Sequence, residues 1–172
     1  YGWLAVSDLS RSAVYAQGLS AQQLAGQRAE VEKLNRRLAP FRIFCGVESD
    51  ILVDGALDYP TEVLEGLDFV IGSVHANLGM SREQATERLL AAVAQPALSI
   101  LGHVSGALLL SREGYPYDED RLLAALAAQG AVLEHDGGGR LAGALALEGR
   151  AAGCGPAAAG CPVLVGSPCR GG

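Results

Sequence analysis

Apolar residues gather in short runs along the chain: WLAV at 3–6, IFCGV at 43–47, FVIGSV at 69–74, LSIL at 98–101, AVL at 131–133 and VLV at 163–165. Each has the length of a strand and little alternation, the pattern of parallel strands covered on both faces. Between them the polar positions announce helices. Ser20 with Gln23, and Ser81 with Gln84, have capping-box spacing, in which hydroxyl and amide satisfy backbone groups left open at a helix start. Pro40 and Pro96 follow the ends of these two segments. In the first, Leu24, Val31, Leu34 and Leu38 share one stripe while Arg28, Glu32 and Arg36 face away. Asp118 predicts the cap of a third helix, through Leu122, Leu123 and Leu126 to Gly130, a residue suited to a left-handed C-terminal turn. Successive strands mostly lie roughly 30 residues apart, the length of a βαβ unit. The pattern is that of an α/β chain, either a barrel or a doubly wound sheet.

The length of 172 residues suits one domain with a real core. With 49% apolar and 19% charged residues the chain is globular in composition. No uninterrupted apolar stretch is long enough to cross a bilayer, and no secretory leader is visible. Tyr1 stands immediately before the first apolar run, which leads to the expectation of a piece cut from a longer protein. The net charge of −6 argues against this segment gripping a nucleic-acid backbone by itself. Arg36, Arg37 and Arg42 form a small basic cluster that reads as a solvated helix end. Cys45, Cys154, Cys161 and Cys169 have neither zinc-site spacing nor the density of a disulfide scaffold, so reduced intracellular thiols are expected, with Cys45 in the core.

The residues that follow the strands change the picture. They are Ser7-Asp8, Glu48, His75, His103, Glu134-His135-Asp136 and Ser167, and five of these six positions carry titratable or metal-binding types. In β/α architectures the carboxyl ends of the strands converge on one face, so residues far apart in sequence meet there. A single polar residue at a strand end is an ordinary cap. Glu48, His75 and His103, at near-equal spacing, together read as a site.

Four stretches resemble the polymerase and histidinol phosphatase (PHP) domain, above all in the version fused to bacterial family X DNA polymerases. They are GLS at 18–20, GVESDILVDGALDYP at 46–60, LDFVIGSVHANLGMSREQATERLL at 67–90 and SILGHVSGALLLSREGYPYD at 99–118. The resemblance implies a distorted TIM-like (β/α)7 barrel, incomplete here because the first strand would precede Tyr1. It makes the whole chain, 1–172, a single PHP-like domain, expected at the C-terminal side of a polymerase. It implies phosphoester hydrolysis with divalent manganese or zinc, the polymerase domains of the same parent chain as partners, and DNA contact through that parent rather than through this acidic segment. It also implies a bacterial cytoplasmic, nucleoid-associated location and no membrane. By resemblance Glu48 matches the family's bridging glutamate, and His75 and His103 match two of its histidine ligands; these are the catalytic and metal-ligating candidates.

The departures matter as much. The family's T-D-H is here Ser7-Asp8-Leu9, and its closing D-A-H is Pro168-Cys169-Arg170. Leucine and proline offer no lone pair to a cation, and arginine is a permanent cation. The centre of up to three divalent metals that the resemblance implies cannot form complete from these residues, so weak or absent hydrolysis is expected. Glu48, His75 and His103 still make a Glu-plus-two-His set that suits one cation, as a single weak site or none. Asp8, His135, Asp136, Cys169 and Arg170 are accessory candidates. Gly137, Gly138 and Gly139 would hold His135 and Asp136 loosely; Cys169 could lend a thiolate and Arg170 a bidentate grip on phosphate. The alternatives are an active phosphoesterase or 3′-5′ exonuclease, or a histidinol-phosphatase-like enzyme. From Asp118 onward there is no aromatic residue, and glycine and alanine dominate, so a helix near 141–152 is expected to be short.

Overall fold

The computed structural model describes residues 1–106 and 114–134. Strand β1 (Trp3–Leu9) leads through a short 3-10 turn (Val14–Ala16) to helix α1 (Ala21–Leu38) and strand β2 (Arg42–Asp50). A one-turn helix α2 (Thr61–Leu64) precedes β3 (Phe69–Ser73), and α3 (Arg82–Val93) precedes β4 (Ile100–Leu101). Helix α4 (Glu119–Gln129) and strand β5 (Val132–Leu133) complete the described elements. The strands form one five-stranded sheet in the order β1-β2-β3-β4-β5, every neighbouring pair parallel. A doubly wound sheet reverses its strand order at a switch point, and the described strands have no such reversal. The α/β architecture is therefore wound in one direction and compatible with a TIM-like fold.

The local signals acted where they stood. Ser20 and Ser81 each accept a hydrogen bond from the backbone N–H of Gln23 and Gln84, and both capping boxes are closed by the returning glutamine side chains. Asp118 caps α4, which ends on Gly130 in the left-handed conformation with φ 73°. Of the predicted stripe on α1, Leu24 and Val31 are buried, while Leu34 and Leu38 near the helix end are exposed. Strand limits moved more. β1 and β2 extend past their apolar runs because backbone pairing continues from Trp3↔Arg42 to Leu9↔Glu48 whatever the side chains. β4 and β5 shrink to two paired residues each. The apolar run at 163–165 and the expected helix near 141–152 lie outside the described residues.

Val47 pairs with Val70 and Gly72 with Leu101, so these residues share one face of the sheet. That face carries the core. Val47, Val70 and Leu101 join Leu24 of α1, Leu64 of α2, Ala85, Leu89 and Val93 of α3, and Leu122 and Leu126 of α4 in one buried cluster. Cys45 is 1% exposed and packs with Ile43 and Val31, the core position expected of it. Its thiol is pushed up by burial and then by Asp68. Arg42, far from marking only a solvated helix end, pairs with Asp68 at 2.8 Å and lies over the Phe44 ring. Among the described residues no helix is long and apolar enough to cross a membrane.

Candidate metal centre

With one face of the sheet given to the helices, alternate residues of β2 point the other way. Glu48 and Asp50, two apart, share that opposite face. β3 ends at Ser73 and β4 at Leu101, so His75 and His103 follow two residues beyond each strand and are carried toward the same end of the sheet as Glu48. The three side chains meet. One potential ligand atom from each lies within 4.8 Å of the others. Glu48 Oε1 sits 2.9 Å from His103 Nε2 and 3.3 Å from His75 Nε2. The imidazole rings tilt toward each other with centroids 5.1 Å apart.

Close approach at this end depends on small residues and on an uncommon backbone. A Cβ on Gly102 would come within 2.4 Å of Ser73 Oγ and 3.2 Å of Glu134 Oε2, so only glycine lets β4 lie this near β3. The next residue, His103, has φ 23°, on the positive side that non-glycine residues seldom occupy, a strain of the kind that gathers at functional sites.

The electrostatics follow from the contacts. Glu48 is held well below the usual carboxylate range, first by its hydrogen bond with His103, then by that with His75, against a desolvation cost that acts the other way. His75 is pushed up to about 9, chiefly by the hydrogen bond with Asp50 and next by that with Glu48. The side chains are 26% exposed for Glu48, 17% for His75, 35% for His103 and 9% for Asp50, so the cluster opens on its His103 side and closes around Asp50. Ser73 Oγ, fully buried, makes no hydrogen bond of conventional geometry among the described residues, although it lies near enough to Glu48 to favour the carboxylate. A carboxylate and two imidazoles converging with an unsatisfied hydroxyl beside them are a donor set that fits a borderline divalent cation.

Two members were not singled out from the sequence. Asp50 contacts His75 Nδ1 through Oδ1. Arg88, 4% exposed, donates to the carbonyls of Ile51, of Leu52 at 2.8 Å and of Ala76 at 3.1 Å. It thus ties the backbone just beyond Asp50 to the backbone just beyond His75. Both had a signal: Asp50 stands at i+2 from Glu48, and Arg88 interrupts the apolar stripe Ala85, Leu89, Ala92 of α3 with a cation.

Of the accessory candidates, Asp8 is not brought into the cluster. It lies inside β1 opposite Val47, on the helix-covered face, where Gln27 of α1 donates to it. Its neighbour Leu9 is the residue that pairs in register with Glu48. His135, Asp136, Cys169 and Arg170 lie outside the described residues.

No family model matches the chain. Among characterised proteins it is 38% identical, over 72% of its own length, to the "DNA polymerase/3'-5' exonuclease PolX" of Bacillus subtilis, of which it spans 22%. A "Probable phosphatase" of Caldanaerobacter subterraneus is 32% identical over 54% of the chain and 35% of that protein. A "Probable phosphatase" of Clostridium acetobutylicum is 30% identical over 63% of the chain and 43% of that protein. The chain is a PHP-like domain. It spans less than half the length of each of these three relatives. In this PHP-like domain the motif GVESD places Glu48 and Asp50 at the end of β2, and SVH and GH place the two imidazoles beyond β3 and β4.

Proposed function

We propose that residues 1–172 are the PHP domain of a bacterial family X DNA polymerase, in which Glu48, His75 and His103 hold a divalent cation, manganese or zinc. The observation that carries this reading is the convergence of Glu48 Oε1 with both histidine Nε2 atoms. The parallel sheet is read as an arc of the distorted (β/α)7 barrel. In this reading the family's multi-metal centre is partly lost, and hydrolysis by this segment is weak or absent. Leu9 supports that view from within the fold: it stands beside Glu48 where the family pattern has a ligand histidine, and its side chain donates nothing to a cation. A bound cation would supply Lewis-acid charge for a phosphoryl oxygen. The chain's own residues bind and orient it: Glu48 contributes the anion, and the two histidines contribute neutral nitrogen donors. The polymerase domains of the same parent are the partners, and DNA is reached through them in the bacterial cytoplasm and nucleoid, given the acidic balance of this segment.

The test is metal content by elemental mass spectrometry after dialysis against manganese and zinc, with His75→Ala alongside. About one equivalent retained by the wild type and lost in the variant is the expected result. No retained metal in the wild type would refute the cation site and leave a domain kept for its shape.

The two phosphatase relatives, and the exonuclease named in the polymerase relative, favour a second reading, an active metal-dependent phosphoesterase or 3′-5′ exonuclease. Phosphate release from a small phosphoester, or nucleotide release from a DNA 3′ end, abolished by His75→Ala in a metal-loaded sample, would select it.

A further inference from the structure

His75 lies beyond the end of β3, so pairing in the sheet does not set the orientation of its ring. An imidazole can bind a cation through either nitrogen, and the choice is made by the hydrogen bond of the other. Here Asp50 makes that bond. Oδ1 of Asp50 contacts Nδ1, and an ionised carboxylate can only accept, so Nδ1 carries the proton and Nε2 is presented toward Glu48. Of the two carboxylates that touch the ring among the described residues, Asp50 is the more buried and its contact is the closer, which makes Nδ1 the nitrogen that keeps its proton.

Asp50 is itself held from several directions. Its N–H donates to Ser10 Oγ at 2.9 Å, and its carbonyl accepts from Ser49 Oγ at 3.3 Å. The N–H of Ile51 donates to the Ser73 carbonyl at 2.7 Å, joining the ends of β2 and β3. Arg88 then clamps the carbonyls of Ile51 and Leu52 on one side and of Ala76 on the other. Burial lowers the Arg88 pKa, and Asp50 is among the negative groups that oppose the shift, so the clamp and the carboxylate support each other.

We infer that Asp50 is the positioning residue of the cluster: it accepts the Nδ1–H of His75 and so aims Nε2 at the Glu48 side, while Arg88 holds the backbone just beyond each member of the pair. Carboxylate–histidine pairs behind metal sites act in this way, by fixing ring orientation and raising donor strength. The inference rests on the proposed cation site only for its metal arm, because the orientation of His75 can be read without metal.

The experiment uses the full chain labelled with nitrogen-15, as wild type, Asp50→Ala and Asp50→Asn, with imidazole NMR before and after zinc addition and a calorimetric zinc titration. In the wild type the His75 Nδ1–H proton is expected far downfield and slow to exchange in both states, with zinc perturbing Nε2. Asp50→Ala should lose that resonance and bind zinc about 10- to 100-fold more weakly. Asp50→Asn, which can accept the bond without charge, should shift the resonance upfield and lose less affinity than the alanine variant. An unchanged Nδ1–H signal in Asp50→Ala, or zinc taken up through Nδ1 in the wild type, overturns the inference. Should Asp50→Ala fail to fold, the isosteric Asp50→Asn decides, and an unaltered resonance and affinity there overturn it equally. A wild type that binds no zinc refutes the cation site, and the Nδ1–H resonance then decides the role of Asp50 by itself.

Discussion

β1 and β2 run side by side in register, yet their carboxyl ends are opposites. At the end of β2, Glu48 touches two histidines and Asp50 the other ring nitrogen of His75, while Ser10, Ser49 and Arg88 bind the surrounding backbone. At the end of β1, the residue facing Glu48 is Leu9, and Trp3 and Leu4 at the other end are half exposed. The difference shows which half of the site is over-determined. β2 is flanked on both sides and buried along most of its length, so its polar side chains must be paired. β1 is bounded by β2 on one side only among the described strands, and its contacts demand little.

Arg88→Met should break the β2 end most severely. It leaves the carbonyls of Ile51, Leu52 and Ala76 without their donor in a buried setting, at a cost of about 3 kcal/mol in urea denaturation. A loss within about 0.5 kcal/mol would mean that the clamp is dispensable.

Next in size is a pH effect in chelator-treated protein. The His75 pKa is about 9 in the fold, above the ordinary value of 6.5, so the folded state holds that proton more tightly. Its contribution is complete below about pH 6.5 and is lost as pH rises through about 9, on the order of 2 kcal/mol once partial exposure is discounted. Glu48 acts with the opposite sign: its contribution is present above its ordinary range and is lost as pH falls through its depressed value. The two share contacts and do not add. Denaturation midpoints of wild type and His75→Gln from pH 6 to 10 check this; parallel curves would contradict it.

Leu9→His would sharpen the comparison by placing an imidazole beside Glu48, where the register puts it. Zinc affinity should rise about tenfold, or about 1.4 kcal/mol, by calorimetry. No gain would mean that the β1 end is too loosely held to contribute a ligand. The smallest effect belongs to the far end of β1. Trp3→Ser gives up an edge contact with Phe44, ring centroids 6.0 Å apart, and should cost under about 1 kcal/mol in the same denaturation assay.

The helices were legible because their signals are local: Ser20, Ser81 and Asp118 satisfy N–H groups within their own first turns, and Gly130 ends α4 by its own backbone freedom. The approximate positions of the strands, and the three candidate ligands at their ends, were legible for the related reason that a strand's end fixes where the next side chain emerges. Strand lengths were not, since β1 and β2 are extended by each other's backbone and β4 pairs with its neighbours over two residues only. Asp8 shows the cost of ending a strand with its apolar run: β1 continues to Leu9, and alternation carries the Asp8 carboxylate to the helix-covered face.

What the sequence determined by itself was therefore the α/β order, the helix caps and the residue types available for a cation. The tertiary structure alone decided that Glu48 lies between two imidazoles, that Asp50 rather than Asp8 stands behind one of them, and that a buried arginine on α3 fastens both loops. These are contacts between segments distant in sequence, and their energies depend on burial and register that no single segment contains.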